Sequence, residues 1–384
     1  MGRIAVAALV LVLTAPLVHA GEEAGEQDLG PTLPEEAFSP PPARSPQGPY
    51  FYHGYDYGSD ASFNPVSELL NGSLGVLQIS NRWASLDQIN WARGFDITWE
   101  SISNPGRTIN AYGRDRFVTH ELLPADYGWS SLQWVPNYTL HLIGGGARHR
   151  AFVEWYDAHN FPVPTVFAWG TTMLHAWGVE AIEHYNAPGP TVDPVADMLL
   201  FDPLGALLFS FDGVSRFFSH TLNMSIWSGQ PAYNPAVNAF ENIGQNYGLH
   251  YYFSDTHRVG IFGYMGMSQL LGVTVRGGDL FDWSIGIGGA ADELAIAERG
   301  NNMQAVYANI KLDGGVFLHR NGSLLASLHG SQAWAQTFRF NVYPGWLSVG
   351  GVSTGLYSGM RGNDVIFGIT FAKFPVGLAL SGTP

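Results

Sequence analysis

The stretch RGNDVIFGITFA at residues 361–372 is the part of the chain that decides the fold. A turn signal, Arg361-Gly362-Asn363, leads into a run of regular alternation. Bulky apolar residues at every second position alternate with apolar or small ones: Val365, Phe367, Ile369 and Phe371 against Ile366, Gly368, Thr370 and Ala372. Because successive side chains of a strand point to opposite faces, this period of two predicts a β-strand whose faces differ in bulk.

The same texture extends back along the chain to about Tyr247. Val306 to Leu312 alternate in the same way, and further turn signals separate the runs: Gly277-Gly278-Asp279, Asp313-Gly314-Gly315 and Asn321-Gly322. Asn-Gly between alternating runs is a strong hairpin signal. The pattern predicts an antiparallel meander over residues 221–384. We expect roughly 8–12 strands, several of them near the ~9–11 residues that cross a bilayer.

A meander of this length either closes on itself or leaves edges that pair with other chains. Closure into a barrel is the simpler outcome. Only 13% of the residues are charged, about half the ~25% typical of soluble domains, whereas 14% are aromatic. The mean hydropathy is close to zero, which suits a barrel whose alternate residues face lipid. The predicted fold class is therefore α+β, with a transmembrane β-barrel after an N-terminal helical segment.

The first twenty residues predict export from the cytoplasm. One positive charge at Arg3 precedes an almost wholly apolar run from Ile4 to Val18, and Val18-His19-Ala20 fits a small-x-small cleavage site. These features predict a cleaved signal peptide over residues 1–20 and a location in the outer membrane. Residues 21–48 are rich in proline and glutamate, which predicts a disordered tether. The chain has no cysteine, so disulfides and thiolate chemistry are excluded.

The charge balance limits the partners. A net charge of −14 argues against nucleic acid, because binding a phosphate backbone needs clustered Lys and Arg. The expected partners are outer-membrane lipid and the barrel-assembly machinery.

Residues 49–220 are predicted to be a helical segment packed in or under the barrel. Asn64 is a plausible N-cap for a helix over Val66 to Ile79, with Pro65 at the first helical position. Further helices are expected over residues 86–103, 137–159 and 162–185, and from Asp193 onward with an interruption at Pro203. Residues 163–182 are almost long enough to span the inner membrane. However, His175 and Glu180 would be costly in lipid, so a helix buried against the barrel is preferred.

The residues that stand out chemically lie between Asn137 and Asp202. His141 and Arg148 share one helix face and can pair with Glu180 and Asp197 across helices. The sequence assigns catalytic roles to His141, Glu180 and Asp193. It assigns binding roles to the other polar residues of these helices: Asn137, Arg148, Glu154, Glu183 and Asp197.

Three interpretations of these residues stay open. Buried ionisable groups can form a structural network that holds helices together. His141 with a carboxylate can catalyse acid–base chemistry on a lipid. Glu180 and His184, at i, i+4 spacing, can hold a metal ion. The predicted site nevertheless includes no metal and no cofactor.

The stretch from Asp126 to about Phe209 resembles an uncharacterised bacterial envelope family, catalogued as a domain of unknown function. The resemblance covers about a fifth of the chain. Leu142 replaces a proline of the family's first motif, and the second motif has altered spacing. The matching residues are Asn137-Tyr138-x-x-His141-x-x-x-Gly145, Trp177-x-x-Glu180-x-x-Glu183, Pro190-Thr191-x-Asp193 and Pro203-x-Gly205. The resemblance implies an envelope protein with helices ahead of, or packed into, a β-barrel.

The leading hypothesis is thus an outer-membrane barrel with a structural or ligand-binding role and a polar helical insert. One alternative is an outer-membrane enzyme that acts on lipid or lipopolysaccharide through His141 and nearby carboxylates. The other is a transport pore in which the helices form a plug. The positions of His141, Glu180 and Asp193 relative to one another and to solvent separate these hypotheses.

Overall fold

The computed structural model describes residues 48–124, 135–254, 256–278, 281–298, 304–349 and 352–382. The predicted signal peptide, the tether except for Gly48, and part of the family resemblance lie outside these ranges. All described residues belong to one unit, residues 32–384.

Helices precede the strands along the chain. They are α1 (Gly58–Ser62), α2 (Pro65–Ser73), α3 (Trp91–Ser103), α4 (Pro105–Tyr112), α5 (Arg114–Arg116, continued by a π-helical turn over Phe117–Leu122), α6 (π-helical over Val135–Gly145, then α-helical over Gly146–Ala158), α7 (Pro164–His184), α8 (Asp193–Ala196, a π-helical turn over Asp197–Phe201, then Asp202–Ser210) and α9 (Asp212–Arg216, with a π-helical turn over Phe217–Thr221). A short 3-10 helix, Gly75–Gln78, follows α2.

The predicted start of α2 is confirmed, and its end is not. The Asn64 side chain accepts hydrogen bonds from the backbone N–H groups of Val66 and Ser67, so it caps the helix. The helix stops at Ser73 instead of Ile79. The helix predicted from residue 86 begins only at Trp91, because the Asn90 side chain caps it by accepting from the Arg93 N–H.

The interruption predicted at Pro203 is wrong, since α8 runs from Asp193 to Ser210. The proline lies directly after the π-helical turn, in the first turn of the segment that begins at Asp202. A proline there is tolerated because the wider turn before it changes the hydrogen bonding that the ring would otherwise break.

The strands form one sheet of thirteen segments, in the order β1-β4-β5-β6-β7-β8-β9-β10-β11-β12-β13-β2-β3. They are β1 (Ser225–Ile226), β2 (Ala232–Asn234), β3 (Ala239–Glu241), β4 (Tyr247–Tyr251), β5 (Val259–Met265), β6 (Ser268–Val275), β7 (Asp282–Glu298), β8 (Gln304–Arg320), β9 (Ser323–Ser331), β10 (Phe338–Val349), β11 (Val352–Arg361), β12 (Asp364–Phe371) and β13 (Gly377–Gly382). All pairs are antiparallel except β13 with β2. The α+β class and the large antiparallel sheet are thus confirmed. The number of segments exceeds the expected 8–12 because one long hairpin is divided into the four short strands β1 to β4.

The four short strands β1 to β4 belong to one long hairpin. The register that pairs Ile226 with Tyr247 continues through backbone hydrogen bonds from Trp227 to Asn246 and from Gly229 to Gly244. It reaches the β2/β3 pairing without a shift. One outer edge of this hairpin pairs with β5, and the other pairs with β13.

Of the four predicted turns, two are confirmed and one is wrong, while Asp279 of the fourth, Gly277-Gly278-Asp279, lies outside the described residues. Asn321 and Gly322 both have left-handed backbones, with φ of 52° and 84°, and they connect β8 to β9. Arg361-Gly362-Asn363 lies between β11 and β12. Residues 313–315 lie instead inside β8, opposite Gly286, Ile287 and Gly288 of β7. A side chain at position 315 would collide with the Phe317 ring, so glycine there serves close packing and not a turn.

The two faces of the sheet differ in polarity, and the more apolar face is the exposed one. One face exposes large apolar side chains, among them Leu271, Ile287, Phe367 and Leu380 at 63–68%. The opposite face is buried and carries an aromatic cluster around Trp227, together with polar and charged groups such as Asp313 and His329.

The helices pack around α7 and against the hairpin. Gly94 of α3 lies against the backbone of Ala181, and Gly72 of α2 lies against the His175 ring. The Asn71 side chain donates to the Gly229 carbonyl and accepts from the Gly244 N–H, which fixes α2 to the hairpin. Among the described residues, no helix alone has the length and apolar composition of a membrane span. The bent pair α8 and α9 meets both criteria together, with an angle of 87°.

Candidate functional site

Three helices bring histidines and carboxylates together, and two of them do so through π-helical turns. The π-helical part of α6 carries Asn137 and His141, and the last turns of α7 carry Glu180, Glu183 and His184. The third helix, α8, supplies three aspartates: Asp193, Asp197 and Asp202. Because a π-helical turn bonds residues five apart, Asp202 lies on the same side of the helix as Asp197. We call His141, Glu180, Glu183, His184, Asp193, Asp197 and Asp202 the His–carboxylate cluster.

His141 lies between two aspartates of α8. Its Nε2 atom is 3.3 Å from Asp197 Oδ2. Its Nδ1 atom is 3.2 Å from Asp202 Oδ1, in hydrogen-bonding geometry. Both aspartates are almost fully buried, and the imidazole is 14% exposed. His141 is therefore the cluster's histidine with access to solvent.

His184 makes a parallel arrangement on the other side of Glu180. Its Nδ1 atom is 2.9 Å from the backbone oxygen of Glu180 and 3.4 Å from Glu180 Oε2. Its Nε2 atom is 3.6 Å from Asp193 Oδ2. Glu180 is fully buried and lies within reach of both histidines, because its carboxylate oxygens, His141 and Asp197 also lie close together.

The carboxylates of this cluster are short of partners. Both oxygens of Glu180, Oδ1 of Asp197 and Oδ2 of Asp202 accept no hydrogen bond from the described residues. Burial, reinforced by the Asp193 charge, raises the pKa of Glu180 and of Asp197 well above their usual values. Each buried negative charge therefore needs a proton or a cation beside it.

The pKa of His141 is also raised, but by a charged neighbour and not by burial. Burial alone would lower the pKa of its imidazole, but the Asp202 charge and hydrogen bond outweigh that effect and raise it. Burial and the Asp193 charge also raise the pKa of Glu183, against the opposing effect of His184. The cluster is thus a place where protons and cations compete for the same oxygens.

Not all residues singled out in the sequence belong to this cluster. The structure brings His141, Glu180, Glu183, Asp193 and Asp197 together. Asn137 lies at the cluster's edge, where its Nδ2 donates to the Glu121 backbone oxygen at 2.8 Å. The expected pairing of Arg148 with Glu180 or Asp197 is not found, because its guanidinium donates to Gln245.

Glu154 lies outside the His–carboxylate cluster, and its hydrogen bonds hold two parts of the chain together. Its carboxylate accepts the backbone N–H groups of Tyr50, Phe51 and Tyr52 at 2.8–2.9 Å and also binds Arg150. These bonds fasten the start of the described chain to α6.

Two members of the cluster were given no catalytic or binding role in the sequence analysis, where His184 was named only as a possible metal partner of Glu180. His184 stands four residues after Glu180, so its place on the same helix face was visible. Asp202 was not, because it follows Asp197 by five residues and a regular α-helix would turn it away. Only the π-helical turn, which leaves no clear pattern in the sequence, brings it to His141.

Comparison with known proteins adds no assignment. No family model matches the chain, and no curated protein or solved structure matches it either. The family resemblance of residues 126–209 therefore stays an expectation, and the function must be argued from the geometry.

Proposed function

We propose that the protein is an integral outer-membrane protein whose sheet closes as a barrel and whose helices carry a ligand-binding polar site. The observation that carries this proposal is the apolar exposed face of the sheet. Ile285, Ile287, Leu271 and Val273 stand next to one another on paired strands and are 44–68% exposed. A contiguous apolar surface of this kind is unfavourable in water and is expected where lipid covers the strands.

The pairing of the long hairpin supports closure. Its residues 225–234 pair with residues 239–248, which lead to β5, and also with β13 at the end of the chain. Closure removes sheet edges, and a membrane offers the unpaired backbone groups of an edge no water to bond. In the proposed barrel the long hairpin would join β5 to β13, and among the described pairings only that of residues 232–233 with 377–378 is parallel.

The buried face of the sheet disfavours the plugged-pore hypothesis. Asp313 accepts from Ser268 Oγ at 2.6 Å and pairs with His329. On the other side, Arg361 Nη1 lies 2.9 Å from Glu241 Oε1. Such largely buried side-chain networks fill the interior as packed structure, whereas an aqueous pore needs exposed polar groups.

The enzymatic alternative keeps one specific observation in its favour. The His141 imidazole is partly exposed and hydrogen-bonded to the buried Asp202, the arrangement that orients a general base. Its expected substrate is a membrane lipid or lipopolysaccharide that reaches the helices.

Cell fractionation with heat-dependent gel mobility tests the proposal. We expect the full chain in the outer-membrane fraction, with faster migration before boiling than after it, because a closed barrel stays folded in detergent. An inner-membrane protein and a periplasmic protein serve as fractionation controls. Recovery in the soluble periplasmic fraction would overturn the proposal.

A further inference from the structure

The two histidines of the His–carboxylate cluster present the same nitrogen to a carboxylate. A backbone carbonyl can only accept, so His184 must carry its proton on Nδ1 to bond the Glu180 oxygen at 2.9 Å. An ionised Asp202 places the same demand on Nδ1 of His141 at 3.2 Å. Each neutral imidazole then turns the lone pair of Nε2 toward an aspartate oxygen, Asp197 in one case and Asp193 in the other.

This arrangement is repulsive unless a positive centre lies between the partners. A lone pair and the buried Asp197 oxygen at 3.3 Å cannot both remain unshared in a buried site, and His184 and Asp193 repeat a similar spacing at 3.6 Å. The same separation is what a metal imposes, because two ligands at ~2.1 Å from a tetrahedral ion are about 3.4 Å apart. Histidines that bind metal through one nitrogen usually donate from the other to a carboxylate or a backbone carbonyl, as both do here.

The charge balance points in the same direction. Among the described residues, no lysine or arginine forms an ion pair with Glu180, Asp197 or Asp202. Both oxygens of the fully buried Glu180 lack a hydrogen-bond partner there. This carboxylate is therefore an unpartnered acceptor aimed at the space that the two histidines share.

We propose that the cluster binds two divalent transition-metal ions that share Glu180. His141 and Asp197 complete one site, and His184 and Asp193 complete the other; within each triple, the candidate ligand atoms all lie within 4.8 Å of one another. Asp202 is a positioning residue that orients His141. The inference does not depend on where the protein is located or on whether its sheet closes.

The ligand types narrow the choice of metal. Imidazole nitrogen favours Zn²⁺, Fe²⁺ or Ni²⁺ over Ca²⁺ and Mg²⁺, and carboxylates accept all of them. Three protein ligands per ion leave a coordination position open for water or a substrate oxygen. Two ions bridged by one carboxylate are expected ~3.5–4 Å apart, a spacing suited to a phosphoryl or acyl oxygen.

The test is equilibrium dialysis of the full chain against Zn²⁺ in detergent, after chelation, with metal content measured per chain. We expect about two ions for the native chain, about one for His184→Gln and about none for Glu180→Gln. Asp212→Asn is the matched control. It removes a carboxylate that is 63% exposed and is not one of the proposed ligands. It should keep the native stoichiometry.

Two further readouts keep the outcome interpretable if Glu180→Gln folds poorly. Asp202→Asn leaves all proposed ligands in place and should weaken one site by about 10–100-fold. Bound Co²⁺ should show visible d–d absorption in the native chain and in Asp212→Asn, and only weakly in Glu180→Gln. A folded native chain that retains no Zn²⁺, or equal binding by the native chain and Glu180→Gln, would overturn the proposal. Recovery from the soluble fraction would instead overturn only the barrel.

Discussion

At the scale of single residues, two buried glutamates show how the fold treats charge differently. Glu154 accepts three backbone N–H groups and an arginine, so its negative charge is well satisfied. Glu68 of α2 is buried with a Ser228 hydroxyl bonded at 2.8 Å. Burial raises the pKa of Glu68 to about 7, against the opposing effects of Ser228 and Arg148. Glu68 therefore stabilises the fold when it is protonated.

Stability should therefore fall as pH rises because of Glu68. Its pKa in the fold lies above the usual glutamate value of 4.5, so its stabilising contribution is complete below about pH 4.5 and is lost as pH rises through about 7. The difference amounts to about 3 kcal/mol. Glu68→Gln should remove the part of the slope that Glu68 contributes, as measured by denaturant unfolding in detergent between pH 5 and 8. Glu100→Gln, at an exposed position of α3, should leave the slope as it is. An identical slope for the native chain and Glu68→Gln would contradict the assignment.

The sequence predicted residue-scale features where local chemistry decides them. The Asn64 cap depends on residues two and three positions away, and it was recognised. The burial of Glu68 and the meeting of Asp202 with His141 depend on residues that are distant in sequence, and no local pattern carries that information.

At the scale of elements, α7 is the centre on which the other helices pack. A side-chain carbon added at Gly94 would come within 2.1 Å of the Ala181 backbone oxygen, so α3 approaches α7 as closely as its backbone allows. The helices on either side of α7 then bring His141 and the aspartates to its final turns. Sequence periodicity placed most of these helices correctly, but it could not foresee π-helical turns, since they add one residue without changing composition.

Gly94→Ala should separate α3 from α7. The collision is with backbone, which cannot rotate away, so we expect a loss of about 2–4 kcal/mol in the free energy of unfolding. Gly170→Ala in α7 is the matched control, because nothing lies within 4 Å of the added carbon there. It should stabilise the protein by about 0.5–1 kcal/mol through helix propensity. Thermal unfolding of both variants followed by circular dichroism compares them, and equal shifts would contradict the packing.

At the scale of the whole molecule, the sheet exposes one face of large apolar side chains, which the proposed membrane would cover. The alternation at residues 361–372 predicted strands with two unlike faces, and the structure adds which face is exposed. The sequence alternation could not predict the parallel pairing of β13 with β2. Pairing between strands that are distant in sequence is fixed by the sheet as a whole and not by either strand.

Ile287→Arg distinguishes a lipid-covered face from a hydrated one. Ile287 is 64% exposed and lies in the part of β7 that pairs with both β6 and β8. In a membrane the charge should cost about 2–4 kcal/mol and reduce folded protein in the outer membrane, whereas in water it would be nearly neutral. Thr256→Arg, in the exposed connection between β4 and β5, is the control and should fold normally. Folding yield into lipid vesicles measures both. Normal insertion of Ile287→Arg would argue against lipid contact at this position.

The seam between β2 and β13 also sets a timetable for assembly. Asn234 Nδ2 donates to Ser381 Oγ at 3.1 Å across 147 positions of the chain. Joining strands so far apart in sequence carries a high loop-closure cost, so this pairing is expected to form late in folding. Until that pairing forms, one side of the first hairpin stays without its partner strand. A chain cut short by a single strand would keep that side open, ready to capture a neighbouring copy.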